Sequence, residues 1–171
     1  KNDEHVIKCL SDFAHKNNLK LNVLGRAIGL ASPEKEYFNK IIRIKYKFIP
    51  SYKGRDSNMI AEQFEYVFTI DSTLALENMV KNGKSGFIFN RPNIFPLVER
   101  RHGGFERIPY KGPFWTTTSA NNTKEFNRVF NFVIKTSNKT WKKLRKKYNP
   151  ELMVHDPGNK KFLKIVNKCL S

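Results

Sequence analysis

The stretch from Tyr66 to Phe89, YVFTIDSTLALENMVKNGKSGFIF, limits most tightly what this chain can fold into. YVFTI and SGFIF are apolar on nearly every residue, so each is a strand covered on both faces rather than one. Between them TLALENMVK is helical and apolar almost all round, which is too long for a hairpin and suits a crossover between parallel strands. The same alternation precedes it. Val6, Ile7, Leu10, Phe13 and Ala14 recur at helical spacing over residues 3–16, LKLNVLG reads as a strand, and Ser32-Pro33-Glu34 opens a helix. IKYKFIP is a further strand, and residues 58–64 form a short helix. Helical spacing returns at Phe126, Val129, Phe130 and Val133, and again at Phe162, Ile165, Val166 and Cys169. The expected fold is α/β: a Rossmann-like parallel sheet with helices on both faces and a helical C-terminal third, in one domain over residues 1–171.

The chain's 171 residues include 14 Phe, 6 Tyr and 2 Trp, enough to build a core and to exclude wholesale disorder. No run is apolar enough for a membrane span. Cys9 and Cys169 both fall on apolar helix stripes, and we expect buried free thiols in a reducing cytosol, with a disulfide between the two ends as the alternative. His5, His15, His102 and His155 are scattered, and no Cys/His spacing fits a zinc site. Residues 90–113, including ERRHGGFER, have no periodic face and read as a long loop.

The formal charge is +17, and Lys135 to Ser171 alone holds 11 Lys/Arg against 2 Asp/Glu. Such a field attracts polyanions of any kind: nucleic acid, anionic lipid or a nucleotide. KTWKKLRKK (Lys139–Lys147) sets Trp141 among six bases, which makes a nucleic-acid module the alternative reading. No RRM, KH or zinc-finger signature accompanies it.

Ligands of an open parallel sheet sit beyond the carboxyl ends of its strands. There the chain places Asp71, Ser72 and Thr73, with Glu77 one turn along the following helix. Two hydroxyls at a helix start suit a phosphate, and a carboxylate one turn on suits a ribose diol. The same residues are ordinary helix-start residues, and no Walker A or GxGxxG pattern occurs, so the residues alone leave both readings open.

VFTIDSTLALENMVKNGKSGFIF resembles the strand–Ser/Thr–helix–Glu segment in the C-terminal half of GT-B glycosyltransferases, most of all those of bacterial surface-carbohydrate biosynthesis. KGPFWTTTSANNTKEF (Lys111–Phe126) resembles a second element of that group, and VLGRA and KFIP keep its order. The resemblance covers about Leu19 to Tyr148 and implies a nucleotide-sugar donor held at its phosphates by Ser72, Thr73 and Arg26 and at its ribose by Glu77. Asp71, Lys53, Arg55 and Trp115 are implied as accessory contacts, the last weighed against plain core packing with Phe114. It further implies no cofactor and no metal, a glycan or lipid-linked acceptor, and a cytoplasmic location; the charge of the basic C-terminal third suits docking on the anionic inner face of the membrane. Because GT-B enzymes have two Rossmann-like halves, and because the chain starts at Lys1 without Met, we expect one half of a longer protein, inactive by itself.

Overall fold

The computed structural model describes residues 2–26, 31–52, 56–89, 112–116, 123–153 and 156–170. α1 (Asn2–Lys16) begins with Asp3 and Glu4 and ends with His15 and Lys16, the charge order that a helix dipole favours. It stops where Asn18 turns left-handed (φ 53°) and the Leu19 N–H reaches back to the Ala14 carbonyl at 2.9 Å. β1 (Leu21–Leu24), α2 (Ala31–Ile41), β2 (Tyr46–Ile49), α3 (Ser57–Ala61), β3 (Tyr66–Ile70), α4 (Leu74–Val80) and β4 (Lys84–Ile88) follow in turn. The C-terminal third is α5 (Thr123–Lys135), α6 (Asn138–Leu152) and α7 (Lys160–Leu170), with a 3-10 turn at Pro157–Asn159 before the last.

β1 pairs with β2 and β3 with β4, both in parallel. Residues 112–116 extend the second pair. The Phe87 N–H donates to the Phe114 carbonyl at 2.8 Å and the Thr116 N–H to the Phe87 carbonyl at 3.1 Å, so this segment runs parallel beside β4. Helices cover both faces of this unit, as the doubly apolar strands require. On one face Phe68 meets Phe130 of α5 edge-on at 5.1 Å, and a side chain at Gly86 would strike Phe68 and Val129. On the other, Asn78 of α4 donates to Ser85 of β4 at 2.9 Å, both side chains fully buried.

The sequence pattern predicts one sheet, and the described strands form two separate parallel pairs instead. Every residue of β1 and of β3 lines a single cleft of about 1850 Å³, together with Leu10 and Phe13 of α1, Ile60 of α3, and Phe64. β1 is only four residues long and none of them is fully buried, and the space between it and β3 is this cleft and not a further ladder. The long loop expected at residues 90–113 lies, up to residue 111, outside the described residues.

α5 is the keystone of the packing. Phe126, Val129, Phe130 and Val133 are wholly buried, at roughly 1.5–3 kcal/mol of apolar burial each. Phe130 also meets Phe13 of α1 at 5.4 Å, so α5 joins the N-terminal helix to the sheet. The opposite edge of α5 carries Arg128, whose guanidinium donates to the carbonyls of Gly112 (2.8 Å), Pro113 (3.3 Å) and Trp115 (2.7 Å). Glu125 holds the same guanidinium through two further bonds, at 2.6 and 3.0 Å. Gly112 has to be glycine, because a Cβ there would sit 1.9 Å from the Trp115 ring.

Two sequence expectations fail in the C-terminal third. Cys9 is a buried free thiol, but Cys169 is free and exposed. None of the residues of α7 is buried, although its apolar stripe is as regular as that of α5. Helical periodicity shows which side of a helix is apolar, not whether anything covers it.

Arg128→Met removes the guanidinium to which three main-chain carbonyls and a mostly buried Glu125 are bonded. We expect a loss of about 2–3 kcal/mol in urea unfolding, with Arg128→Lys recovering less than half, because an ammonium cannot fork to three carbonyls and a carboxylate. A loss below about 0.5 kcal/mol for Arg128→Met contradicts the clamp.

Candidate functional site

At the carboxyl end of β3 the chain has to turn from strand to helix within three residues. Asp71 makes the turn in the left-handed region (φ 47°), which Asp and Asn enter more readily than other non-glycine residues. Its N–H still reaches the Ile88 carbonyl at 3.0 Å, so the turn starts one ladder rung beyond the strand. The Thr69 hydroxyl, pointing in from β3, donates to the Ser72 carbonyl at 3.0 Å and closes the turn from within. Ser72 Oγ then accepts the Leu74 N–H at 3.4 Å, and the Thr73 carbonyl accepts the N–H groups of Leu76 and Glu77 to start α4.

The sequence pairs Ser72 and Thr73 as equivalent hydroxyls, but the structure gives them different jobs. Thr73 makes no cap bond; its hydroxyl donates to Glu77 Oε1 at 2.7 Å. Glu77 Oε2 takes the Asn58 amide at 2.6 Å. The carboxylate is thus held at both oxygens, from its own helix and from α3. Asn58 is itself fixed, since the Asp56 carboxylate caps α3 by accepting the Asn58 N–H at 2.8 Å. A carboxylate offers about four lone-pair directions. Two are taken by these bonds among the described residues, and the side chain is half-buried.

Asn58 is the site residue that sequence reasoning missed. Asp56 announces the cap and places Asn58 in the first turn of α3, but no local pattern says that this turn faces a carboxylate 19 residues away.

Arg26, Asp71, Ser72 and Thr73 all line the 1850 Å³ cleft. Arg26 follows β1 directly and is exposed, and its main-chain N–H donates to both oxygens of Glu34 at 3.1 Å, which ties the end of β1 to α2. Lys20 and Arg26 are the described bases lining the cleft, against Asp3, Glu34, Glu65 and Asp71. The strong positive charge of the chain is therefore carried elsewhere. Lys53 and Arg55, expected near this edge, lie outside the described residues. Trp115 lies away from this group of residues, 2% exposed, in edge contact with Phe114 and Tyr148. Trp141 is equally buried, and its indole N–H donates to the Gly83 carbonyl at 2.8 Å. It is core, and its ring has no face to offer a stacked base.

A family model described as "putative O-antigen biosynthesis protein" matches residues 1–170. No curated protein and no solved structure matches the chain.

If Asn58 and Glu77 act as a unit, their substitutions will not add. Asn58→Leu and Glu77→Ala should each destabilise by about 1–2 kcal/mol, with a coupling of at least about 0.5 kcal/mol in a double-mutant cycle by urea unfolding. Additive effects would mean that the 2.6 Å contact does not order the carboxylate.

Proposed function

Since the chain belongs to this O-antigen biosynthesis family, we propose that it binds a nucleotide-activated sugar, as the donor half of a GT-B glycosyltransferase that builds a surface polysaccharide. One observation carries the reading: Glu77 stands past the carboxyl end of a parallel strand, oriented by Thr73 and Asn58 with acceptor capacity to spare. A vicinal diol is the neutral group that best matches two outward carboxylate lone pairs, and the ribose of a nucleotide carries one. The phosphates would then lie one turn back, at the Ser72 hydroxyl near the positive end of α4, with Arg26, which lines the same cleft as Ser72, as counter-charge.

The roles differ from what the bare sequence suggests. Thr73 acts through Glu77, as a positioning residue, and leaves direct phosphate contact to Ser72 and Arg26. Lys53 and Arg55 keep their proposed place as further bases at this edge. Charge developing on the leaving phosphate would be stabilised by fixed dipoles and cations, with no metal required. The acceptor, a glycan or a lipid-linked glycan, and the base that activates it would come from a second domain. The nucleic-acid alternative rested on the +17 charge and on Trp141, and it loses the second of these, because that ring is buried.

Calorimetric titration with UDP, GDP, ADP, CDP and CMP tests the reading. Wild type should prefer one base. Glu77→Ala should weaken that binding about 10- to 100-fold, roughly 1.5–3 kcal/mol, beyond any change in fold. Thr73→Val should weaken it less than Glu77→Ala does. Unchanged affinity in Glu77→Ala, or no nucleotide bound by wild type below about millimolar, would sink the assignment.

A further inference from the structure

α7 buries none of its residues. At about 100° per residue its eleven residues divide cleanly. Ile165, Cys169, Phe162, Val166, Leu170 and Leu163 fill one contiguous arc of roughly 160°, and Lys160, Lys161, Lys164, Asn167 and Lys168 fill the rest. The apolar arc faces solvent: Phe162 is 62% exposed, Ile165 63% and Leu170 81%. An isolated helix this short is marginal in water. This one has local support, because the Asp156 carboxylate accepts the N–H groups of Lys161 (2.9 Å) and Phe162 (3.2 Å) at its start. A capped helix with an uncovered apolar arc is complete only when something covers that arc.

We propose that α7 lies in the plane of an anionic phospholipid surface, with Phe162, Ile165, Val166 and Leu170 below the headgroups and its lysines among them. Charge selects this occupant. α7 has four lysines and no Asp or Glu, so a second copy of the helix would bring like charges together. An anionic bilayer supplies apolar depth and negative charge at one boundary, and that is the combination this helix matches. Eleven residues rise about 16 Å, half of a bilayer core, so the helix lies on the membrane and does not cross it. α6 adds exposed Lys139, Lys142, Lys143, Lys146 and Lys147 to the same third of the chain, which strengthens long-range attraction to the surface. Gly158, left-handed at φ 72° with open space around it, precedes α7 and lets the helix leave α6 at its own angle.

This inference stands on α7 and needs no nucleotide at Glu77, and vesicle binding is measured without nucleotide, so either can fail alone. Co-sedimentation with vesicles of phosphatidylcholine, with and without roughly one-third phosphatidylglycerol, is the direct test. We expect at least about tenfold tighter binding to the anionic vesicles, weakened by added salt. Ile165→Asp should cut that binding about tenfold or more while the thermal melting curve stays in place, since the side chain supports no packing. In Phe162→Trp, emission should move to the blue on vesicle addition. Lack of binding to anionic vesicles, or equal binding by wild type and Ile165→Asp, overturns the proposal. So does a wild-type dimer in sedimentation equilibrium that Ile165→Asp dissociates, which would assign the face to a second copy of the chain.

Discussion

The Arg128 guanidinium is the contact on which the core depends. Residues 112–116 enter beside β4 with Phe114 and Trp115 both buried, and the carbonyls of Gly112, Pro113 and Trp115 turn toward α5. Carbonyls left without donors there would offset much of what the aromatic burial returns. A planar fork on α5 answers all three, and Glu125 balances its charge at the base. Phe114 can then reach Trp141 and Tyr148, and α6 is held against the start of β4 through the Trp141–Gly83 bond. The aromatic cluster, the third strand and the placement of α6 follow from one cation.

How much of this the sequence disclosed depends on the range of the interaction. β3 was legible to the residue, because an apolar strand followed by Asp-Ser-Thr and a helix is a local pattern with its own boundaries. β1 was legible as a strand but not in its pairing, since an apolar run of four residues does not say which neighbour it will take. The tryptophans show the opposite case. A ring among lysines looks available from the sequence of α6, but one face of that helix belongs to the core and Trp141 sits on it. For Cys169 the stripe was real and the burial was not. The Asn58–Glu77 bond joins two helices through space, so nothing local encodes it. At the candidate site, the Ser72, Thr73 and Glu77 cluster was visible in advance, and the split of labour within it was not.

Charge is sorted by region in a way that totals conceal. The cleft is lined by four described acids and two bases in a chain of net charge +17. The surplus lies largely in α6 and α7. A highly charged anion approaching from solution is therefore drawn first to the C-terminal third and not to the cleft. A ligand of modest charge, recognised through hydroxyls, suits the cleft better than a polyanion does.

β1 and β3 each carry a hydrogen-bonded ladder on one side only among the described residues, and both line the same cleft. Strands within a ladder keep a spacing near 4.8 Å, because the bonds break if it changes much. Across an open cleft no such ruler exists. Leu10, Phe13 and Phe64 line the cleft between the two βαβ units, so their sizes and rotamers bear on its width. Repacking those side chains moves the units as bodies while each ladder stays whole. The molecule has in effect two stiff plates and a soft seam, and the width of the seam can be retuned by substitutions that touch neither plate.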